Sequence, residues 1–115
     1  MAASAECVFC RIARAEIPAA KVYEDEHVLA FRDLNPAAPV HMLVVPKAHA
    51  ERLDAYGPDD ALLLGRVMLG ANAAARAAGL ADFRAVVNCG PGAQQTVRHL
   101  HVHVLGGRDF TWPPG

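Results

Sequence analysis

The segment from His99 to Leu105 reads H-L-H-V-H-V-L, a strict alternation of imidazole and aliphatic side chains. In an extended strand successive side chains point to opposite faces, so His99, His101 and His103 share one face while Leu100, Val102 and Val104 share the other. The aliphatic face belongs in a core. Solvated polar positions on an open sheet would be served equally well by Lys, Glu or Thr. Three imidazoles in register instead point to groups used for their titration near neutrality. A single metal ion bound by all three is excluded by length, since His99 and His103 lie about 13 Å apart along a strand. Adjacent pairs can share an ion, and at least one imidazole is left for acid, base or nucleophile work. The preceding loop carries Gly90, Gly92 and Thr96, whose amides and hydroxyl can surround an anion held over the histidines. A phosphate fits that description.

The rest of the chain supplies a sheet and two helices around this strand. Residues 6–16 place Val8, Phe9 and Ile12 at helical spacing, and Ile17-Pro18 ends that element. Residues 21–34 read as a hairpin with an acidic turn at Glu24 to Glu26, and Val28 and Ala30 alternate with Leu29 and Phe31. Pro36 and Pro39 interrupt any ladder before H-M-L-V-V-P-K resumes as a buried strand. Gly57-Pro58-Asp59-Asp60 starts a long helix, with proline in the first turn and carboxylates at the positive end of the dipole, and Gly79 is placed to cap it near Leu80. Gly65 and Gly70 inside that helix imply close approach of another element, with a twofold partner helix as one candidate. F-R-A-V-V-N-C then forms a strand, and residues 97–107 form the last. We expect an α+β fold, an antiparallel sheet of about five strands with one long and one short helix on one side of it.

Composition fits a single domain over residues 1–115: the chain is 53% hydrophobic and 20% charged. A domain of this size leaves apolar surface that favours a second copy, so a homodimer is expected. Eleven Lys and Arg against twelve Asp and Glu give a net charge of -1, which argues against a nucleic-acid partner. The opening residues carry no basic region followed by an apolar stretch, and no run is long enough to span a bilayer. We therefore expect no membrane partner and a cytoplasmic setting. In a reducing compartment Cys7-x-x-Cys10 suggests a metal knuckle or redox pair, and Cys89 a buried thiol.

The motif Q-T-V-R-H-L-H-V-H-V-L-G-G-R, together with D-L-N-P-A-A-P-V-H-M-L-V-V-P-K-A-H and the terminal W-P-P-G, resembles the histidine-triad family, and within it the purine-nucleoside phosphoramidase branch. The resemblance implies that His101 is a nucleophile, attacking an α-phosphorus to form a nucleotidyl-histidine that water then hydrolyses. It implies that His103 contacts the phosphate oxygens and that His41 lines the same site. Thr96 would hydrogen-bond the departing atom, with Gln95 and Asn88 also near the phosphate. Asp33 would hold the ribose hydroxyls beside Leu34, and its alternative is a turn before Asn35-Pro36. Val8, Phe9, Ile12, Ile17 and Phe31 would form the apolar base pocket. The ligand implied is a purine nucleoside monophosphate derivative.

Some members of this family carry a structural Zn2+, and Cys7, Cys10, His49 and His99 would complete a Cys2His2 tetrahedron here. Such an ion would have no open position for chemistry, and no catalytic metal is expected. Two buried thiols on one helix face are the alternative. The family usually has glycine where this chain has Gln94, so a positive φ there would carry strain. The resemblance also implies pairing of two subunits through the long helix and a sheet edge, with the Trp112 tail reaching the partner's site. Competing readings are a dinucleoside-polyphosphate hydrolase using the same histidines, a non-catalytic nucleotide sensor or scaffold, and a zinc hydrolase.

Overall fold

The computed structural model describes residues 7–115. A short helix, α1 (Val8–Ala13), leads into strands β1 (Lys21–Glu24), β2 (Val28–Arg32) and β3 (Val40–Pro46). The long helix α2 (Ala61–Ala77) follows, then β4 (Phe83–Val86) and β5 (Val102–Gly106). The strands form one antiparallel sheet in the order β1-β2-β3-β5-β4. This is the expected α+β architecture. The expected start of α1 at Glu6 lies outside the described residues.

The expected elements form for the reasons their residues supply. The β1-β2 turn is held by Asp25, whose Oδ1 accepts from the amides of His27 (2.8 Å) and Val28 (2.9 Å). At the start of α2 the residues Pro58–Asp60 form a 3-10 turn, and the Asp60 carboxylate accepts from the Gly57 amide at 2.9 Å. The helix ends at Ala77, slightly before Leu80. There Gly79 adopts φ +73, its N–H donates to the Arg76 carbonyl, and Leu80 N–H donates to that of Ala75. That pair of bonds satisfies carbonyls the helix itself leaves free. The same closure ends α1 with Ala15 at φ 60 in place of glycine.

The two helices lie on opposite faces of the sheet, which corrects the expectation that both pack on one side. Val67, Ala71, Ala74 and Ala75 of α2 meet Val28, Ala30, Met42, Val44, Val102 and Val104. Phe9 and Ile12 of α1 meet Leu29, Phe31, Leu43 and Val45. β2 and β3 are apolar continuously, V-L-A-F and M-L-V-V, so both of their faces must be covered. The sequence also misplaced the start of β5. Residues 97–101 run ahead of the ladder, anchored where Leu100 N–H donates to the Ala50 carbonyl at 2.7 Å.

Gly70 explains the close seating of α2. A Cβ there would lie 2.7 Å from Val28 Cγ1 and 3.2 Å from Val44 Cγ1, whereas one at Gly65 would meet nothing within 4 Å among the described residues. Gly70→Ala gains about 1 kcal/mol of helix propensity but overpacks a filled core at a cost of about 1–3 kcal/mol. We expect net destabilisation. Ala15→Gly should stabilise by about 0.5 kcal/mol, because relief of the left-handed backbone outweighs the added freedom of the unfolded chain. Urea titration of both variants checks the two signs.

Candidate active site and metal centre

The three histidines of the alternating segment face α1. Phe9 packs edge-on against His99 and His101, with ring centroids 5.8 and 5.2 Å away, and His101 lies 5.0 Å from His103. His101 Nδ1 is 2.8 Å from the His99 carbonyl oxygen. A carbonyl only accepts, so Nδ1 carries the proton and the Nε2 lone pair is free. Burial lowers the proton affinity of His101, which keeps that lone pair available at neutral pH. One backbone bond therefore selects which ring nitrogen keeps its lone pair.

A second chain of bonds fixes His103. The Ala37 amide donates to His41 Nδ1 at 2.9 Å, so His41 carries its proton on Nε2. Nε2 lies 2.9 Å from His103 Nδ1 and 3.4 Å from Asp33 Oδ2. His103 Nδ1 must then accept, which leaves its proton on Nε2. That Nε2 is buried and has no hydrogen-bond partner among the described residues. A buried donor without an acceptor is costly, so the site is built to receive one. Asp33, His41 and His103 also lie close enough for metal ligation. The Ala37 bond occupies the only lone pair His41 has, so this group suits hydrogen bonding better than an ion.

A cavity of about 310 Å³ opens beside these groups. All five residues assigned to the apolar pocket line it: Val8, Phe9, Ile12, Ile17 and Phe31. Asp33, Leu34, Thr96, His101 and His103 line it as well. Leu34 is fully exposed, and Thr96 is exposed at the mouth. Asp33 makes the turn, its Oδ1 accepting from the Asn35 amide at 2.8 Å, and it also lines the cavity. Leu43 and Val97 line it too, and the sequence reading missed them. Leu43 looked like any residue of a buried strand, and Val97 like the first residue of the last strand.

Three assigned residues sit elsewhere. His41 is behind His103 and does not line the cavity. Gln95 has its amide committed within the loop: Oε1 accepts from Gly90 N–H at 2.9 Å, and Nε2 donates to the carbonyls of Glu51 (2.6 Å) and Val97 (3.0 Å). Asn88 Nδ2 donates to the Gln94 carbonyl at 3.5 Å. Both are loop staples, because polar side chains next to a glycine-bearing turn find backbone partners first. Gln94 does adopt φ 66, the strained conformation expected of it.

The other end of the histidine segment forms a Cys2His2 cluster. His99 Nδ1 lies 3.2 Å from Cys7 Sγ, 3.4 Å from Cys10 Sγ and 3.2 Å from His49 Nδ1. Cys10 Sγ is 3.4 Å from His49 Nδ1. Metal bonds of about 2.0–2.3 Å imply tetrahedron edges of about 3.3–3.8 Å, close to these separations. His99 Nε2 donates to the Pro46 carbonyl at 2.7 Å, which fixes the tautomer that turns Nδ1 toward the thiols. These four residues therefore fit a metal ion. Cys89 is half-buried, more open than expected.

The comparisons with known proteins agree with this arrangement. The HIT domain profile matches residues 14–110. The chain is 52% identical over 111 residues to a HIT-like protein of Synechocystis sp., covering 96% of this chain and 97% of that one. It is 48% identical over 101 residues to protein HitA of Neisseria gonorrhoeae, covering 87% and 94%. Among solved structures, a HIT family hydrolase from Legionella pneumophila superposes with a TM-score of 0.91 at 46% identity, covering 96% of this chain and 100% of that one. A histidine triad protein from Clostridium difficile gives 0.89 at 43% identity, covering 94% and 96%. This chain belongs to the HIT family.

Burial, and then the neighbouring His101 and His41, hold the His103 proton affinity down to about 4 from 6.5. Unfolding frees that ring to protonate at its ordinary value, so its contribution is full above pH 6.5 and is lost as pH falls toward about 4. Thermal melts should show Tm flat above that window and falling within it. In His103→Asn the fall should be shallower, and a Tm that rises on acidification through the window would contradict the assignment.

Proposed function

We propose that this protein hydrolyses purine nucleoside phosphoramidates through a nucleotidyl intermediate on His101. The observation that carries the reading is the pairing of a free Nε2 lone pair on His101 with the unpartnered Nε2–H of His103 at one cavity. The apolar walls take the base, and Asp33 takes the ribose hydroxyls. His101 Nε2 attacks the α-phosphorus, the P–N bond breaks, and the amine leaves with a proton from the solvent-facing mouth where Thr96 lies. Water then attacks the same phosphorus, releasing the monophosphate and restoring His101. The His103 donor stabilises negative charge on the phosphoryl oxygens as the pentacoordinate state forms.

The cluster of Cys7, Cys10, His49 and His99 is assigned to zinc in a structural role. Such an ion ties α1 to the histidine segment without entering the reaction. An odd cysteine count, with Cys7 and Cys10 gathered beside two histidines, suits a reducing cytoplasm, and no helix among the described residues is long and apolar enough to cross a membrane. A homodimer is favoured by Leu62 and Leu69, exposed at 69% and 65% on either side of Gly65 on α2.

Hydrolysis of adenosine 5′-phosphoramidate, with acid-quenched intact mass, tests the chemistry. Wild type should turn over and yield a nucleotidyl adduct. His101→Ala should lose about four orders of magnitude in rate and all adduct while still binding AMP. A wild type that binds AMP with neither turnover nor adduct would replace this reading with a nucleotide sensor. Separately, metal analysis should find one zinc per chain in wild type and little in Cys10→Ser, whose Tm should no longer respond to chelator. Equal Tm for wild type with and without chelator would remove the structural role.

A further inference from the structure

The C-V-F-C segment holds two thiols on either side of two residues of the reactive cavity. Cys7 and Cys10 belong to the cluster with His49 and His99, and their sulfurs lie within 4.8 Å of each other. Between them in the chain stand Val8 and Phe9, both of which line the cavity beside His101. Phe9 also packs edge-on against His101, with ring centroids 5.2 Å apart. A covalent bond between the two sulfurs would close a ring through the backbone of both wall residues.

The two thiols differ in access. Cys7 is half-buried and lines a second cavity, of about 450 Å³, together with His49, Glu51, Thr96 and Arg98. Cys10 is only 1% exposed and lines neither cavity. A small oxidant arriving from solvent therefore meets Cys7 first, since susceptibility follows exposure, and Cys10 stands next to it as a resolving thiol. A disulfide holds its sulfurs about 2.05 Å apart, so closing this one takes at most about 2.8 Å of relative movement. Cys7 can supply that movement, because its backbone is extended (φ -72, ψ 122) and lies just ahead of α1 rather than within it.

We propose that Cys7 is an oxidation site with Cys10 as its resolving thiol, and that the disulfide they form switches off nucleotide binding. The oxidant is a hydroperoxide, of which hydrogen peroxide is the simplest. The Cys7 sulfur attacks a peroxide oxygen, the O–O bond breaks, and the departing hydroxide leaves as water with the thiol proton. The Cys10 sulfur then attacks the sulfenic sulfur of Cys7, the S–S bond forms, the S–O bond breaks, and a second water leaves with the Cys10 proton. Two thiols are oxidised and one hydrogen peroxide is reduced to two waters. With a metal bound, solvent supplies both protons and the cation departs. The disulfide takes two of the four donors from the cluster and draws Val8 and Phe9 away from the cavity they wall. The effect on binding rests on the reading of that cavity as the nucleotide site, whereas the thiol chemistry does not.

The test starts from zinc-loaded Cys89→Ser, in which Cys7 and Cys10 are the remaining thiols. Hydrogen peroxide should remove two hydrogen atoms by intact mass and release zinc to a chromophoric chelator. It should also weaken AMP binding, read by calorimetry, about tenfold, equivalent to about 1.4 kcal/mol. Dithiothreitol with added zinc should reverse all three changes. Cys7→Ser in that background should react with peroxide about tenfold more slowly than Cys10→Ser, because its remaining thiol is buried. Gain of oxygen without loss of the hydrogen pair, or equal rates in the two variants, would overturn the assignment of attacked and resolving thiols. A disulfide that leaves both AMP affinity and the His101 imidazole NMR resonances unchanged would overturn the switch. If the reduced protein binds no AMP while those resonances still move on oxidation, the switch stands and the nucleotide reading falls instead.

Discussion

His99 joins the Cys2His2 cluster to the histidines beside the cavity. Its Nδ1 faces two thiols and a second imidazole, its Nε2–H is spent on the Pro46 carbonyl, and its own carbonyl accepts from His101 Nδ1. Each bond removes a freedom from the next. The tautomer of His99 follows from β3, the direction of its carbonyl follows from a fully buried ring, and the tautomer of His101 follows from that carbonyl. A nucleophilic imidazole needs its lone pair on one defined nitrogen. Here that definition comes from a residue that need not touch substrate.

The same economy runs through α1. Six residues form no stable helix in isolation, yet α1 is capped where the Cys10 N–H donates to Cys7 Sγ. Its inner face covers the second side of the sheet, Phe9 steadies two of the histidines edge-on, and its remaining apolar residues wall the cavity. Anything that anchors Cys7 and Cys10 therefore also shapes the pocket. A cavity wall this short owes its position to tertiary contacts, and the cluster at its start provides them.

Against this, the polar loop before the histidines was legible only in outline. Its glycines and glutamines announced a turn near the site, and the family's usual glycine at the Gln94 position raised the question of a positive φ, which the backbone there adopts. Which amides face a ligand and which hold the loop together depended on neighbours distant in sequence, such as the Glu51 carbonyl that captures Gln95. His41 shows the same limit. Its place on a buried strand beside β5 was readable, but the Ala37 amide that sets its tautomer and its hydrogen bond to His103 were not.

By itself the sequence determined what periodicity and local chemistry can carry. The alternating histidines required a strand-like segment with one reactive and one buried face, the alanine-rich stretch required the long helix, and the turn residues placed the boundaries within a few positions. The tertiary structure alone decided that the helices lie on opposite faces, that the ladder begins only at Val102, and that His99 turns into the Cys2His2 cluster while His101 lines the cavity. Local pattern specifies which way a side chain points relative to its neighbours. Hydrogen-bond direction, tautomer and the gathering of thiols with imidazoles depend on atoms brought together from separate parts of the chain, and those exist only once the sheet has closed.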